Sequence, residues 1–183
     1  MKSMHLAAAL LLSVAPAQAG SLTLMSPTVK EGVTLPLAQV LDGFGCEGEN
    51  RSPALSWSGA PDGTKSYAVT LYDPDAPTGS GFWHWVLVDL PPATDHLDEG
   101  AGAASGKDLP AGARQLRDDF GVNVYGGACP PPGDGMHRYV FTVRALDVPS
   151  LPVPDDASGA LAGFVLNQHT LASAKITAAY ARP

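Results

Sequence analysis

The chain has 183 residues and a formal net charge of −7 at pH 7, with 18 Asp and Glu against 11 Lys and Arg. That balance, with no run of Lys or Arg anywhere, excludes an electrostatic footprint for nucleic acid and charge-driven adhesion to anionic membranes. Twenty Gly and 17 Pro, with little sustained helical periodicity, argue for short strands joined by tight turns.

Lys2, the apolar stretch from Leu6 to Val14 and the small-x-small tripeptide Ala17-Gln18-Ala19 read as an export signal over residues 1–19. The stretch is too short to span a bilayer, so no stable membrane insertion is expected. No Cys follows the expected cut, which argues against a lipid anchor. Residues 20–183 are then one domain, large enough for its own core, with a periplasmic or secreted location. In such an oxidising compartment Cys46 and Cys129 are expected to pair, closing a loop of about eighty residues; two separate buried thiols are the alternative.

Ser21 to Met25 reads as a first strand, and Pro27 to Gly43 as a turn followed by a second. Gly43 to Pro53 reads as loop, and Ala54 to Trp57 as a brief strand. In the run Lys65–Tyr72, Tyr67, Val69 and Leu71 share one face, which Asp73 continues before Pro74 stops the ladder. Phe82 to Leu90 is almost continuously apolar and reads as a central strand covered on both faces. Asp95 to Tyr125 lacks periodicity and is expected to be a long ordered loop. From His137 to Ala145 the chain alternates again, with His137, Tyr139, Phe141 and Val143 on one face. Pro149, Pro152 and Pro154 make a stiff linker. Asp155 or Asp156 is then expected to cap a helix from Ala160 to about Ala174, with Lys175 to Tyr180 as a last strand. The expected fold class is mostly β (α+β), with one or two C-terminal helices.

Polar side chains at the mouths of buried strands are costly unless paired or used. Asp73, Asp75, His84, His137 and Tyr139 stand in such positions, and Pro130 and Pro131 stiffen the loop before His137. Two imidazoles beside a carboxylate can bind an anion, hold a metal or work as acid and base. Neither HxxxH nor HxH spacing occurs, so no metal and no cofactor is expected. Asp73 or His84 as base and His137 as acid would make a small hydrolase. There is no nucleophile elbow, however, and the nearest nucleophile candidate, Cys129, is the expected disulfide partner.

Asp73-Pro74-Asp75-Ala76-Pro77, His84 within Trp83-His84-Trp85, and Pro130-Pro131 ahead of Gly135-x-His137-Arg138-Tyr139 together resemble the phosphatidylethanolamine-binding protein family. The bacterial branch labelled Raf-kinase-inhibitor-like is the nearest likeness, with Gly43-Phe44-Gly45-Cys46 and Ser52-Pro53-Ala54-Leu55-Ser56-Trp57 fitting it as well. The resemblance runs from about Leu22 to Tyr180. It implies a central sheet packed on a smaller one and a pocket for phosphate-like anions and phospholipid head groups. Carried over by position, Asp73, His84, Pro130, Pro131, His137 and Tyr139 line that pocket, with Asp75 beside them and Arg138 supporting the structure. The resemblance implies a non-enzymatic binding protein, or alternatively a modulator of a protein partner in the manner of a kinase or peptidase inhibitor.

Overall fold

The computed structural model of the protein describes residues 21–182, and the export signal expected over 1–19 lies outside the described residues. In chain order the strands are β1 (Thr23–Met25), β2 (Asp42–Gly43), β3 (Cys46–Glu47), β4 (Leu55–Ser58), β5 (Ser66–Asp73), β6 (Phe82–Leu90), β7 (His96–Leu97), β8 (Arg114–Gln115) and β9 (His137–Leu146). A helix, α1 (Gly159–His169), and a last strand, β10 (Thr170–Tyr180), follow. Five strands form an antiparallel sheet in the order β10-β9-β5-β6-β8, and three form a smaller one, β1-β4-β7.

Alternation along β5 and β9 sends Tyr67, Val69, Leu71, Tyr139, Phe141 and Val143 to one face. There they pack with Leu22, Leu55, Trp57 and Leu97 from the smaller sheet and its flanks. The opposite face carries Ala68, Val86 and Val88, covered by Leu151, Ala157 and by Ala162 and Leu166 of α1. Strand β6 is therefore buried on both sides, as its continuous apolar run predicts: Trp85 to Val88 are all 0% exposed. Helix α1 lies close over β6 because Gly159 and Gly163 offer no Cβ to the ring of Trp83; a Cβ at Gly159 would overlap that ring.

Four expectations need correction. The segment Pro27–Gly43 holds a one-turn 3-10 helix at Leu37–Gln39 and only the two-residue β2 at its end, in place of a longer second strand. The helix begins at Gly159 and its cap is Ser158, whose hydroxyl accepts the Leu161 N–H at 3.2 Å, not Asp155 or Asp156. Asp155 instead receives Arg114 at 2.7 Å. The helix also ends at His169 rather than near Ala174, because the chain from Thr170 to Tyr180 pairs with β9 along its whole length. A long ladder against a buried strand outweighs the helix propensity of Ala172 and Ala174. Finally, the expected loops hold short strands: β2 and β3 form a hairpin within 43–53 and its approach, and β7 and β8 lie within 95–125. Two-residue strands carry no periodicity to read.

Cys46 on β3 and Cys129, just ahead of the Pro loop, are bonded, with Cα atoms 6.0 Å apart and a separation of 83 in sequence. The bond joins the β2–β3 hairpin to the segment that leads into β9. Replacing both (Cys46→Ser with Cys129→Ser) is expected to lower the unfolding free energy by about 4 kcal/mol, because it frees a long loop in the unfolded chain. Urea unfolding of the two proteins measures this, and a difference under about 1 kcal/mol would mean the loop is already constrained without the bond.

Candidate functional site

Strand β5 ends at Asp73 and β9 begins at His137, so both side chains leave the apolar face at the same rim of the sheet. His137 Nδ1 lies 2.7 Å from Asp73 Oδ2, with both side chains almost wholly buried. Asp73 Oδ1 accepts the backbone N–H groups of Asp75 (2.8 Å) and Ala76 (3.1 Å), an Asx turn made by the Asp-Pro-Asp-Ala sequence itself. Burial disfavours the His137 imidazolium, but Asp73, helped by Asp134 at 3.3 Å from Nε2, outweighs it and raises the pKa above the ordinary value.

His84 arrives by a different route. Leu71 pairs with Trp85 and Tyr72 with Trp83, so His84 is the extra residue of a β-bulge. Strict alternation would send His84 to the face of Val86; the bulge instead turns it toward Asp73 and His137. Its Nδ1 lies 3.1 Å from the carbonyl oxygens of both Gly126 and Gly127. A carbonyl only accepts, so Nδ1 carries the proton and Nε2 presents a lone pair. Burial pushes the His84 pKa down to about 4 against the charge of Asp73, and the ring is neutral near pH 7. The Gly127 backbone can reach this ring because it threads against Val40 and Leu41, where a Cβ would meet backbone at 2.5 Å.

These residues open onto a pocket of about 390 Å³. Of the residues named from sequence, Asp73, His84, Pro130, Pro131 and His137 line it, and Asp75 and Tyr139 do not. Asp75 is held by Arg138, whose Nε and Nη2 reach its two oxygens at 2.8 and 2.7 Å. That fork keeps its carboxyl well below the usual range, at about 2. Tyr139 is fully buried beneath the pocket, its ring 5.3 Å from that of His84 and its hydroxyl without a partner. Burial and then the Asp73 charge push its pKa up.

Sequence reasoning missed Phe44, Ala76, Pro77, Thr78 and Phe82, which also line the pocket, and Asp134 at its rim. Asp119 and Phe120 supply a further wall: Asp119 accepts the Trp83 N–H at 2.7 Å, and Phe120 packs on Phe82, His84 and Phe44. Phe44 and Phe120 come from loops with no strand or helix period, so only their aromatic character could have marked them. The hydrolase's nucleophile candidate, Cys129, is in the disulfide. Among the described residues, no three His, Cys, Asp or Glu side chains are placed to share a metal ion.

The fold has known counterparts. The family model described as phosphatidylethanolamine-binding protein matches residues 25–181, and the chain belongs to that family. Within it, the chain is 49% identical over 180 residues to the UPF0098 protein YbcL of Escherichia coli, covering 98% of each chain. It is 50% identical over 157 residues to E. coli YbhB, covering 86% of this chain and 98% of that one. The crystal structure of YbcL, described as a new member of the mammalian PEBP family, superposes with a TM-score of 0.87 at 50% identity, covering 89% of this chain and 99% of the other. A homologue from Chlamydia trachomatis superposes with a TM-score of 0.73 at 27% identity, covering 90% and 99%. Family membership makes the chain a binding protein of this fold. Among the described residues, no helix is long and apolar enough to cross a membrane.

The two imidazoles are expected to separate in an NMR titration. His84 stays neutral down to about pH 4, and His137 keeps its proton above the ordinary 6.5. Asp73→Asn should bring the His137 midpoint back toward 6.5. The stability lost in that variant should be full below pH 6.5 and shrink as pH rises through the raised wild-type midpoint. Two coincident midpoints near 6.5 would contradict this assignment. Tyr139→Phe removes an unpartnered hydroxyl, so it is expected to leave the melting temperature unchanged or raised. A fall of several degrees would show that the hydroxyl is hydrogen-bonded in solution.

Proposed function

We propose that the pocket binds a small anionic, phosphate-bearing group such as a phospholipid head group, and that the protein does so as a non-enzymatic binding protein outside the cytoplasm. The observation that carries this reading is His137: its Nδ1 is anchored on buried Asp73, which favours the protonated ring, and that ring forms part of the pocket lining. An acidic protein can hold an anion there because the imidazolium acts at contact distance, whereas most of the protein's other charges are solvated and screened. The family's name adds support for a phospholipid head group as the ligand class. The signal-like residues 1–19 and the Cys46–Cys129 bond support export.

Histidines at ordinary pKa would release an anion near pH 6 to 7. With His84 already neutral, the protein's share of the pH dependence lies with the raised midpoint of His137. Calorimetric titration of phosphoethanolamine is expected to give saturable binding that is lost as pH rises above that midpoint. It should fall at least tenfold in His137→Ala, while Arg138→Ala, outside the pocket, should retain it. Equal heats for wild type and His137→Ala would remove the pocket from the reading.

A further inference from the structure

The pocket is short of hydrogen-bond donors. Resting on the anion-binding reading above, we propose that His84 selects an oxyanion that carries its own proton, a singly protonated phosphate monoester, over anions without one. His84 is the specificity-determining contact, accepting the ligand's P–O–H at Nε2, while His137 donates to a charged oxygen of the same group.

The argument is one of donors and acceptors. His84 Nδ1–H is committed to the carbonyls of Gly126 and Gly127. Its Nε2 has no partner among the described residues and is not sealed from solvent, so it opens onto the pocket as an acceptor. Asp119, also lining the pocket, spends one carboxylate oxygen on the Trp83 N–H, and the other has no partner among the described residues. Asp134 at the rim is another acceptor. The N–H groups of Asp75 and Ala76 are taken by Asp73, and the Thr78 hydroxyl is taken by the Gly81 carbonyl. His137 is the cationic donor among the lining side chains: its Nδ1–H stays on Asp73, and its Nε2–H turns to the ligand when the ligand displaces the longer, 3.3 Å contact with the half-exposed Asp134 carboxylate.

A fully deprotonated oxyanion, which offers acceptors only, would meet the His84 lone pair and the Asp119 carboxylate with lone pairs of its own. Such a pairing leaves buried acceptors unsatisfied and places like charges together. A ligand bearing one proton resolves both conflicts at once. The charged groups facing His84 are Asp73 from β5, His137 from β9, Asp119 from the 117–122 turn and Asp134 from the Pro loop. Asp118 lies behind Gly126. Those carboxylates favour a second proton on the His84 ring and burial outweighs them, so Nε2 stays an acceptor and the ligand supplies the proton of the contact. A phosphate monoester has its second pKa near 6, so it can supply one in mildly acidic or neutral surroundings. A free sugar or glycerol phosphate and the head group of phosphatidic acid share this chemistry.

The test compares phosphate with sulfate, which has similar size and shape but no proton near neutral pH. Calorimetry of the wild-type protein at pH 6 should show inorganic phosphate binding at least tenfold more tightly than sulfate. Glycerol phosphate affinity should fall between pH 6 and 8 as the ligand loses its proton, and sulfate should show no matching fall over the lower part of that range. Short-chain phosphatidic acid run beside glycerol phosphate distinguishes the sources: tighter binding of the lipid assigns the ligand to the membrane, equal binding to a soluble ester. Nitrogen NMR of the wild-type imidazoles should show His84 as the Nδ1–H tautomer, and an Nε2–H tautomer or an imidazolium at pH 6 would overturn the inference. His84→Ala should lose the preference for phosphate; because that truncation opens space against Phe82 and Phe120, the wild-type comparisons decide. Equal binding of phosphate and sulfate with the same pH course would overturn the inference and leave the anion-binding reading standing. Binding of neither anion, nor of either ester, would overturn both.

Discussion

The contact on which the site depends is the buried pair Asp73–His137. Two ionisable side chains taken out of water cost several kcal/mol unless each finds its partner. Here the partner is supplied by the sheet: β5 and β9 run side by side from Ser66–Leu146 to Tyr72–Val140, and their ends place the carboxylate and imidazole in contact. The Asx turn after β5 then satisfies the second carboxylate oxygen, so Asp73 orients and charges His137 rather than offering itself to a ligand. Removing either member would leave the other buried and alone, which ties the integrity of this rim of the sheet to the chemistry of the pocket.

Two histidines of the same composition thereby become opposites. His137 rests its Nδ1 on a carboxylate and is held charged; His84 rests its Nδ1 on two carbonyls and is held neutral. The difference lies in the second contact of each ring, and it converts a symmetric-looking pair into one donor and one acceptor. The disulfide and the aromatic packing of Phe44, Phe82 and Phe120 serve the same end. They bring the β2–β3 hairpin, the 117–122 turn and the Pro loop against the sheet rim, so that groups from five separate segments meet around one cavity.

Much of the frame was legible in the chain. The alternation of β5 and β9, the continuous apolar run of β6 and the Pro-Pro loop before His137 mark the strands and the rim residues directly, since side-chain period is a local property. The motifs built on Asp73, His84 and His137 carried the family. What was illegible was also of one kind. Ala-rich residues 170–174 suit a helix locally, and only the presence of β9 beside them makes them strand. Asp75 shares the turn and the motif of Asp73, but Arg138, 63 residues away, holds it. Tyr139 stands on the correct face yet one layer below the surface, a depth that no periodicity reports.

The sequence by itself determined which residues could be buried, where strands begin and end around Asp73, His84 and His137, and which family the chain resembles. These follow from polarity and spacing along the backbone. The protonation state of each imidazole, the bulge that turns His84 into the pocket and the shortage of donors around it were decided only by the tertiary structure. Each depends on groups far apart in sequence, such as the Gly126 and Gly127 carbonyls facing His84, whose effect on a proton acts through space at hydrogen-bond distance.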